Sequence, residues 1–95
     1  MTARAAAERA ATKLAKERRI QQIRPGWWVY SYRPHDLGTW GKVTATHQFT
    51  DPATGKPTTW LTVTDPEGRR HEVQEVNGYP AWCCTPAEAR RAGLT

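Results

Sequence analysis

Three histidines and two cysteines are the side chains of this 95-residue chain best suited to ligate a metal or move a proton: His35, His47, His71, Cys83 and Cys84. Their spacing argues against a metal. No Cys-x-x-Cys or His-x-x-x-His pair occurs, and those are the intervals at which short segments converge on zinc. His35-Asp36 is the only imidazole and carboxylate pair close in sequence, with no serine or cysteine assigned to it as a nucleophile. Glu72 and Glu75 fall on opposite faces of a strand, which separates them as an acid and base dyad. A Gly-rich phosphate loop is missing as well. The expectation is therefore a non-enzymatic protein without metal or cofactor. Cys83 and Cys84 are adjacent and cannot staple distant loops; strand alternation predicts one buried and the other near the surface.

A second chemistry is stacking. Five Trp, three Tyr and one Phe are too many aromatics for a disordered chain. Trp28, Tyr30, Trp40 and Trp60 each alternate with an apolar neighbour that should face inward, so each is a candidate for an outer face that stacks on bases, grips a peptide or holds a cation. The competing reading is that terminal helices cover the same rings as structure. Trp40 and Trp60 are the strongest candidates for the exposed subset.

The third chemistry is charge, and it is unevenly placed. Residues 1–24 hold seven basic residues against two acidic ones, while residues 25–95 hold seven of each, so the whole net charge of +5 belongs to the N-terminal segment. Arg4, Arg9, Lys13, Lys16, Arg18 and Arg19 are thus the predicted contacts to a phosphate backbone, with Lys42 beside Trp40 extending the surface. The alternatives are a solvated helix that keeps the protein soluble, or one that docks on an acidic protein partner.

These groups need elements to hold them. Ala, Arg, Lys, Glu and Leu dominate the first 24 residues, and no Gly or Pro interrupts them before Pro25-Gly26, which predicts a helix of roughly 20 residues. Ala3, Ala7, Ala10 and Leu14 share one side of it, and Arg9, Lys13 and Lys16 cluster on another. The alanine side is thin, so the helix needs outside support; it also offers a route to self-association. Ile20 and Ile23 lie off that stripe and should pack onto the following domain.

From Trp27 the residues become aromatic and β-branched, and turn signals come at short intervals. Strands are predicted over 27–32, 39–50, 58–64, 69–76 and 79–83. In the long second strand Gly41, Val43, Ala45, His47 and Phe49 should face inward, opposite Trp40, Lys42, Thr44, Thr46 and Gln48. The connections are a loop at 33–38, a polar turn at 51–57, the Asp65-Pro66-Glu67-Gly68 hairpin and the Asn77-Gly78 hairpin. Pro80 lacks an amide donor and should put the last strand at an edge. Thr85, Pro86 and Glu88 form a capping box that opens a short helix, and Gly93 closes it.

Five short strands with a long second strand bent at Gly41 resemble the small Src-homology-3-like barrels, a group that includes Tudor and ribosomal KOW modules. The resemblance spans residues 26–83 and implies a mainly β fold: a five-stranded barrel with a basic N-terminal helix (1–24) and a domain (25–95) closed by the C-terminal helix. The first loop, Arg-Pro-His-Asp-Leu-Gly, is short and differs from the acidic, aromatic first loop of the peptide-binding members. No apolar run nears the roughly 20 residues of a membrane span, and the N-terminal segment has neither a signal-peptide core nor the acid-poor composition of a transit peptide. A cytoplasmic protein is expected, in an Ala- and Arg-rich bacterial style. Its expected role is a small binding module for DNA or RNA; the alternative is an adaptor or inhibitor, of the kind a phage or mobile element carries, docking on an acidic partner.

Overall fold

A computed structural model of the chain describes residues 2–31, 38–74 and 80–94. Residues 33–37 of the predicted 33–38 loop, the His35-Asp36 pair, Glu75 and the Asn77-Gly78 turn lie outside the described residues.

The N-terminal segment starts as a helix and then changes form. Helix α1 (Ala3–Leu14) begins where the Thr2 hydroxyl accepts a 3.1 Å hydrogen bond from the Ala5 amide. It stops at Ala15, whose backbone is extended, and the chain continues as strand β1 (Lys16–Arg18) and a 3-10 turn (Ile20–Gln22). The helix is therefore shorter than the roughly 20 residues its composition suggests. Ile20 and Ile23 supply the reason. Both are buried at 1% exposure, and each gains about 1.5–3 kcal/mol from that burial, which a continued helix would forfeit.

The remaining strands are β2 (Trp28–Ser31), β3 (Thr39–Thr50), β4 (Pro57–Thr64), β5 (Arg70–Gln74) and β6 (Ala81–Cys84), followed by helix α2 (Pro86–Ala92). They form one antiparallel sheet in the order β1-β6-β2-β3-β4-β5, so the fold is mainly β with two helices. Among the described residues there are six strands where five were expected. The sheet is not closed into a barrel: β1 and β5 are its edges. Pro80 precedes β6, yet β6 is not an edge strand, because β1 pairs along the side that Pro80 was expected to leave open. Residues 16–23 thus belong to the sheet and its core instead of to a separate arm ending at residue 24.

The hairpin at Asp65–Gly68 forms as its residues suggest. The Asp65 carboxylate accepts from the amides of Glu67 (3.0 Å) and Arg69 (2.8 Å), and Gly68 takes the left-handed conformation at φ 83°. The predicted facing of β3 holds only for its first half. Gly41 and Val43 point inward, and a Cβ on Gly41 would collide with the Val63 side chain. A bulge between Val43 and Ala45 then shifts the register, so Thr46 opposes buried Leu61 while His47 opposes Trp60. Ala45, His47 and Phe49 consequently turn to the outer face.

Each face of the sheet carries its own apolar cluster. The inner one joins Ile20, Ile23, Val29, Val43, Leu61, Val63 and Cys83, with Trp27, Val73 and Ala81 at its margin. The outer one lies beneath the two helices and joins Ala11, Trp40, Cys84, Ala89 and Ala92, flanked by Leu14, Trp28, Tyr30 and Leu94. Ser31 of β2 and His71 of β5 are hydrogen bonded at 2.7 Å, although β3 and β4 stand between their strands. The sheet is therefore strongly curled across its inner face.

Candidate functional site

Helix α1 lies beside α2 on the outer face, and small side chains make that approach possible. Ala7 and Ala11 are buried, as are Ala89 and Ala92 on α2. A Cβ placed on Gly93, the left-handed cap of α2, would lie 3.6 Å from the Ala7 Cβ. Ala7 and Ala11 on the alanine side of α1 are thus spent on the protein's own packing. At 100° per residue, Arg9 and Lys13 fall on the side opposite Ala7 and Ala11, and both are exposed. Arg90 and Arg91 are exposed in the last turn of α2. Acidic residues do little to offset this layer, because Glu8 is taken by Arg4 at 3.2 Å and Glu88 is buried.

The other predicted cations divide by position. Lys16 and Arg19 are exposed on and just after β1, and Lys42 is exposed on β3 opposite Trp28. Arg18 is not available to a ligand. Its guanidinium lies 3.4 Å from the Glu88 carboxylate, donates at 3.4 Å to the Cys83 carbonyl and sulfur, and sits 5.2 Å from the Trp27 ring centroid. This is structural chemistry, clamping β1 to β6 and α2.

Glu88 is fixed from both ends of that clamp. Its side chain accepts a 2.8 Å hydrogen bond from the Thr85 amide while the Thr85 hydroxyl accepts from the Glu88 amide, completing the predicted capping box. Burial by itself would raise the carboxyl pKa. Hydrogen bonding to Thr85 and attraction to Arg18 and Lys16 outweigh it, so the pKa falls below the ordinary value. Cys83 and Cys84 are both fully buried, contrary to the expectation of one near the surface, because the helices cover the second face. Burial drives both thiol pKa values up, Cys84 to about 11, so neither is primed as a thiolate.

The aromatic candidates separate in the same way. Trp40 is 2% exposed, so it cannot serve as an outer stacking surface; its indole N–H donates to the Thr12 hydroxyl at 3.4 Å and its ring meets Tyr30 edge to face at 5.6 Å. Trp60 is half-buried and stacked on His47, with centroids 5.2 Å apart and planes inclined by 19°. Trp82, which sequence reasoning did not single out, is 49% exposed. With Thr12, Ala15, Tyr30 and Trp40 it lines an open pocket of 320 Å³ at the end of α1. The register explains the grouping. Trp28 pairs with Cys84 and with Lys42, so Tyr30 stands level with Trp82 on one side and pairs with Trp40 on the other. Three rings therefore cross three neighbouring strands in one row. Only the alternation of Trp82 with buried Cys83 hinted at this in the sequence.

The Ser31 and His71 pair has hydrogen-bond geometry of a kind that can activate a hydroxyl, but Ser31 is 7% exposed and sits within a paired strand, where no substrate carbonyl can reach it. Among the described residues no group of three His, Cys, Asp or Glu side chains converges as a metal site, and no helix is long and apolar enough to cross a membrane. No protein-family model matches the chain, and neither a curated protein nor a solved structure matches it.

Proposed function

We propose that the protein is a non-enzymatic nucleic-acid-binding module that docks phosphates on the outer side of its two-helix layer. One observation carries the reading: α1 uses its alanine side to pack, which leaves Arg9 and Lys13 held outward, with Arg90 and Arg91 exposed on the helix packed against it. A helix fixed in this way presents its cations without the ordering cost that a free tail would bear on binding. The body beneath is proposed to be a variant of the small Src-homology-3-like barrels, opened at one seam. The contact between Ser31 and His71 across the inner face supports that curl.

Point substitutions test the reading better than truncation, since deleting residues 2–22 would also remove β1 and the buried Ile20. Four engaged phosphates on duplex DNA correspond to a log-log salt slope of about −3.6. The variant Arg9→Ala/Lys13→Ala/Arg90→Ala/Arg91→Ala should lose that slope in a gel-shift titration at several ionic strengths. An unchanged slope in the variant refutes the assignment. A partner retained from a pull-down after nuclease digestion, and lost in the same variant, would instead favour the adaptor docking on an acidic protein.

A further inference from the structure

We infer that the pocket at the end of α1 binds the methylated ammonium head of a small organic cation of the choline kind. Such a site is separate from the phosphate surface proposed above and does not require it. Four neighbouring strands each contribute one residue to a single row on the outer face. On β1 it is Glu17, which pairs with Trp82 of β6; Tyr30 of β2 stands level with Trp82 and pairs with Trp40 of β3. Thr12 and Ala15 complete the lining around the three rings, and the volume of 320 Å³ lies at the small end of ligand sites. Trp40 is buried and bonded to Thr12, so the inner wall is fixed, while Trp82 is 49% exposed and keeps a face open to a ligand.

What surrounds the rings sets the sign of the ligand's charge. Glu17 is exposed, and among the described residues it has no ion-pair partner. Directly opposed residues of an antiparallel pair have Cβ atoms about 5 Å apart on one face, so this carboxylate stands beside the Trp82 ring. The last carbonyls of α1 add partial negative charge at the same end, and the ring faces themselves attract cations. The basic side chains nearby are turned elsewhere or engaged. Lys16 pairs with inward-facing Cys83 and so belongs to the other face of the sheet. Thr12 and Ala15 lie about 60° apart around α1, whereas Lys13 is about 100° from the first and about 160° from the second. Farther back on that side Arg4 and Glu8 cancel as an ion pair at 3.2 Å, Arg19 is engaged within the chain, and Lys42 stands one row along with Trp28. Hydrogen-bonding capacity then selects among cations. The Thr12 hydroxyl donates to the Glu8 carbonyl at 2.9 Å and accepts from the Trp40 indole at 3.4 Å, and Tyr30 is engaged as well. A primary ammonium, with three N–H groups to satisfy, would find few acceptors here; a methylated one asks for none.

The test titrates choline and its uncharged tert-butyl analogue into the isotope-labelled protein and follows the tryptophan indole N–H signals by NMR, with circular dichroism to verify that each variant folds. Choline should move the Trp82 and Trp40 signals saturably, and the uncharged analogue should bind about 5-fold or more weakly. Read from the Trp40 signal, Trp82→Ala should weaken choline binding by about 5- to 30-fold, with Trp82→Phe restoring part of the loss, and Glu17→Gln should weaken it by about 2- to 5-fold. Equal affinity for choline and the uncharged analogue overturns the cation. Choline binding unaffected by Trp82→Ala, or no saturable shift at all, overturns the site. A trimethyl-lysine peptide that binds where choline does not overturns the small-molecule ligand. None of these readings involves nucleic acid, so they leave the phosphate surface to its own test.

Discussion

The two faces of the sheet are covered by different means. On the inner face branched aliphatic residues meet one another, and Ile20, Val29, Val43, Leu61 and Val63 are at 0–1% exposure. On the outer face the cover is two helices whose inward side chains are alanines, and one methyl group hides little area. Large rings on the sheet make up the difference. Where α1 ends at Leu14, the cover runs out, and Trp82 is left half open. The inner face therefore holds the fold together, while the boundary of the outer cover leaves an aromatic-lined pocket open to water.

The sharpest way to break that comparison is to treat both faces as cores and truncate each. Trp40→Ala should cost about 3–5 kcal/mol and Leu61→Ala about 2–5 kcal/mol, read as shifts in urea midpoint. A loss below about 1 kcal/mol for Trp40→Ala would mean that the helical layer adds no core of its own. A smaller effect is expected at the clamp. Arg18→Ala leaves Glu88 buried without its partner and should cost about 1–3 kcal/mol at neutral pH. Because the folded carboxyl has a depressed pKa, its contribution is complete above the ordinary value of 4.5 and is lost as the pH falls through the folded value. The acid limb of the stability profile should therefore flatten in Arg18→Ala. Identical limbs in the two proteins would remove the clamp from the account.

Thr85→Ala should cost about 1 kcal/mol, since it removes the cap of α2 and one of the bonds that hold Glu88. The smallest perturbation leaves the sequence intact. At mildly alkaline pH a thiol reagent should modify Cys83 and Cys84 far more slowly in the folded protein than in denaturant, because both are buried and Cys84 is pushed up to about 11. Rapid labelling of the folded protein would show that the outer cover opens often.

Features written in neighbouring residues were legible before any coordinates. The Thr85 and Glu88 box, the Asp65–Gly68 turn and the departure of Ile20 and Ile23 from the helical stripe depend on local spacing, and all three form. What escaped depends on long-range register. The single extra residue near Thr44 turns His47 and Phe49 outward, and nothing in the alternation of β3 reveals it. The Lys-Glu-Arg stretch of β1 has the composition of a helix and becomes a strand because β6 offers an unpaired edge. At the candidate site, Arg9 and Lys13 could be found from the helical wheel. Trp40, expected to be an open ring, is covered, and Trp82, of which nothing was expected, is half exposed, because exposure of a ring depends on what the helices cover.

The N-terminal segment passes around one margin of the sheet, with α1 on the outer side, β1 along the border and the 3-10 turn beneath. Cys84 and Cys83, back to back, donate to Ala11 and Lys16 of that strap, each at 3.5 Å. During synthesis, residues 3–23 emerge long before residues 81–94, against which much of their packing is made. Until translation has supplied that distant stretch, the strap has nowhere to fasten and its isoleucines stay wet. A nascent chain paused before residue 81 should thus be readily cut by protease in its first 23 residues.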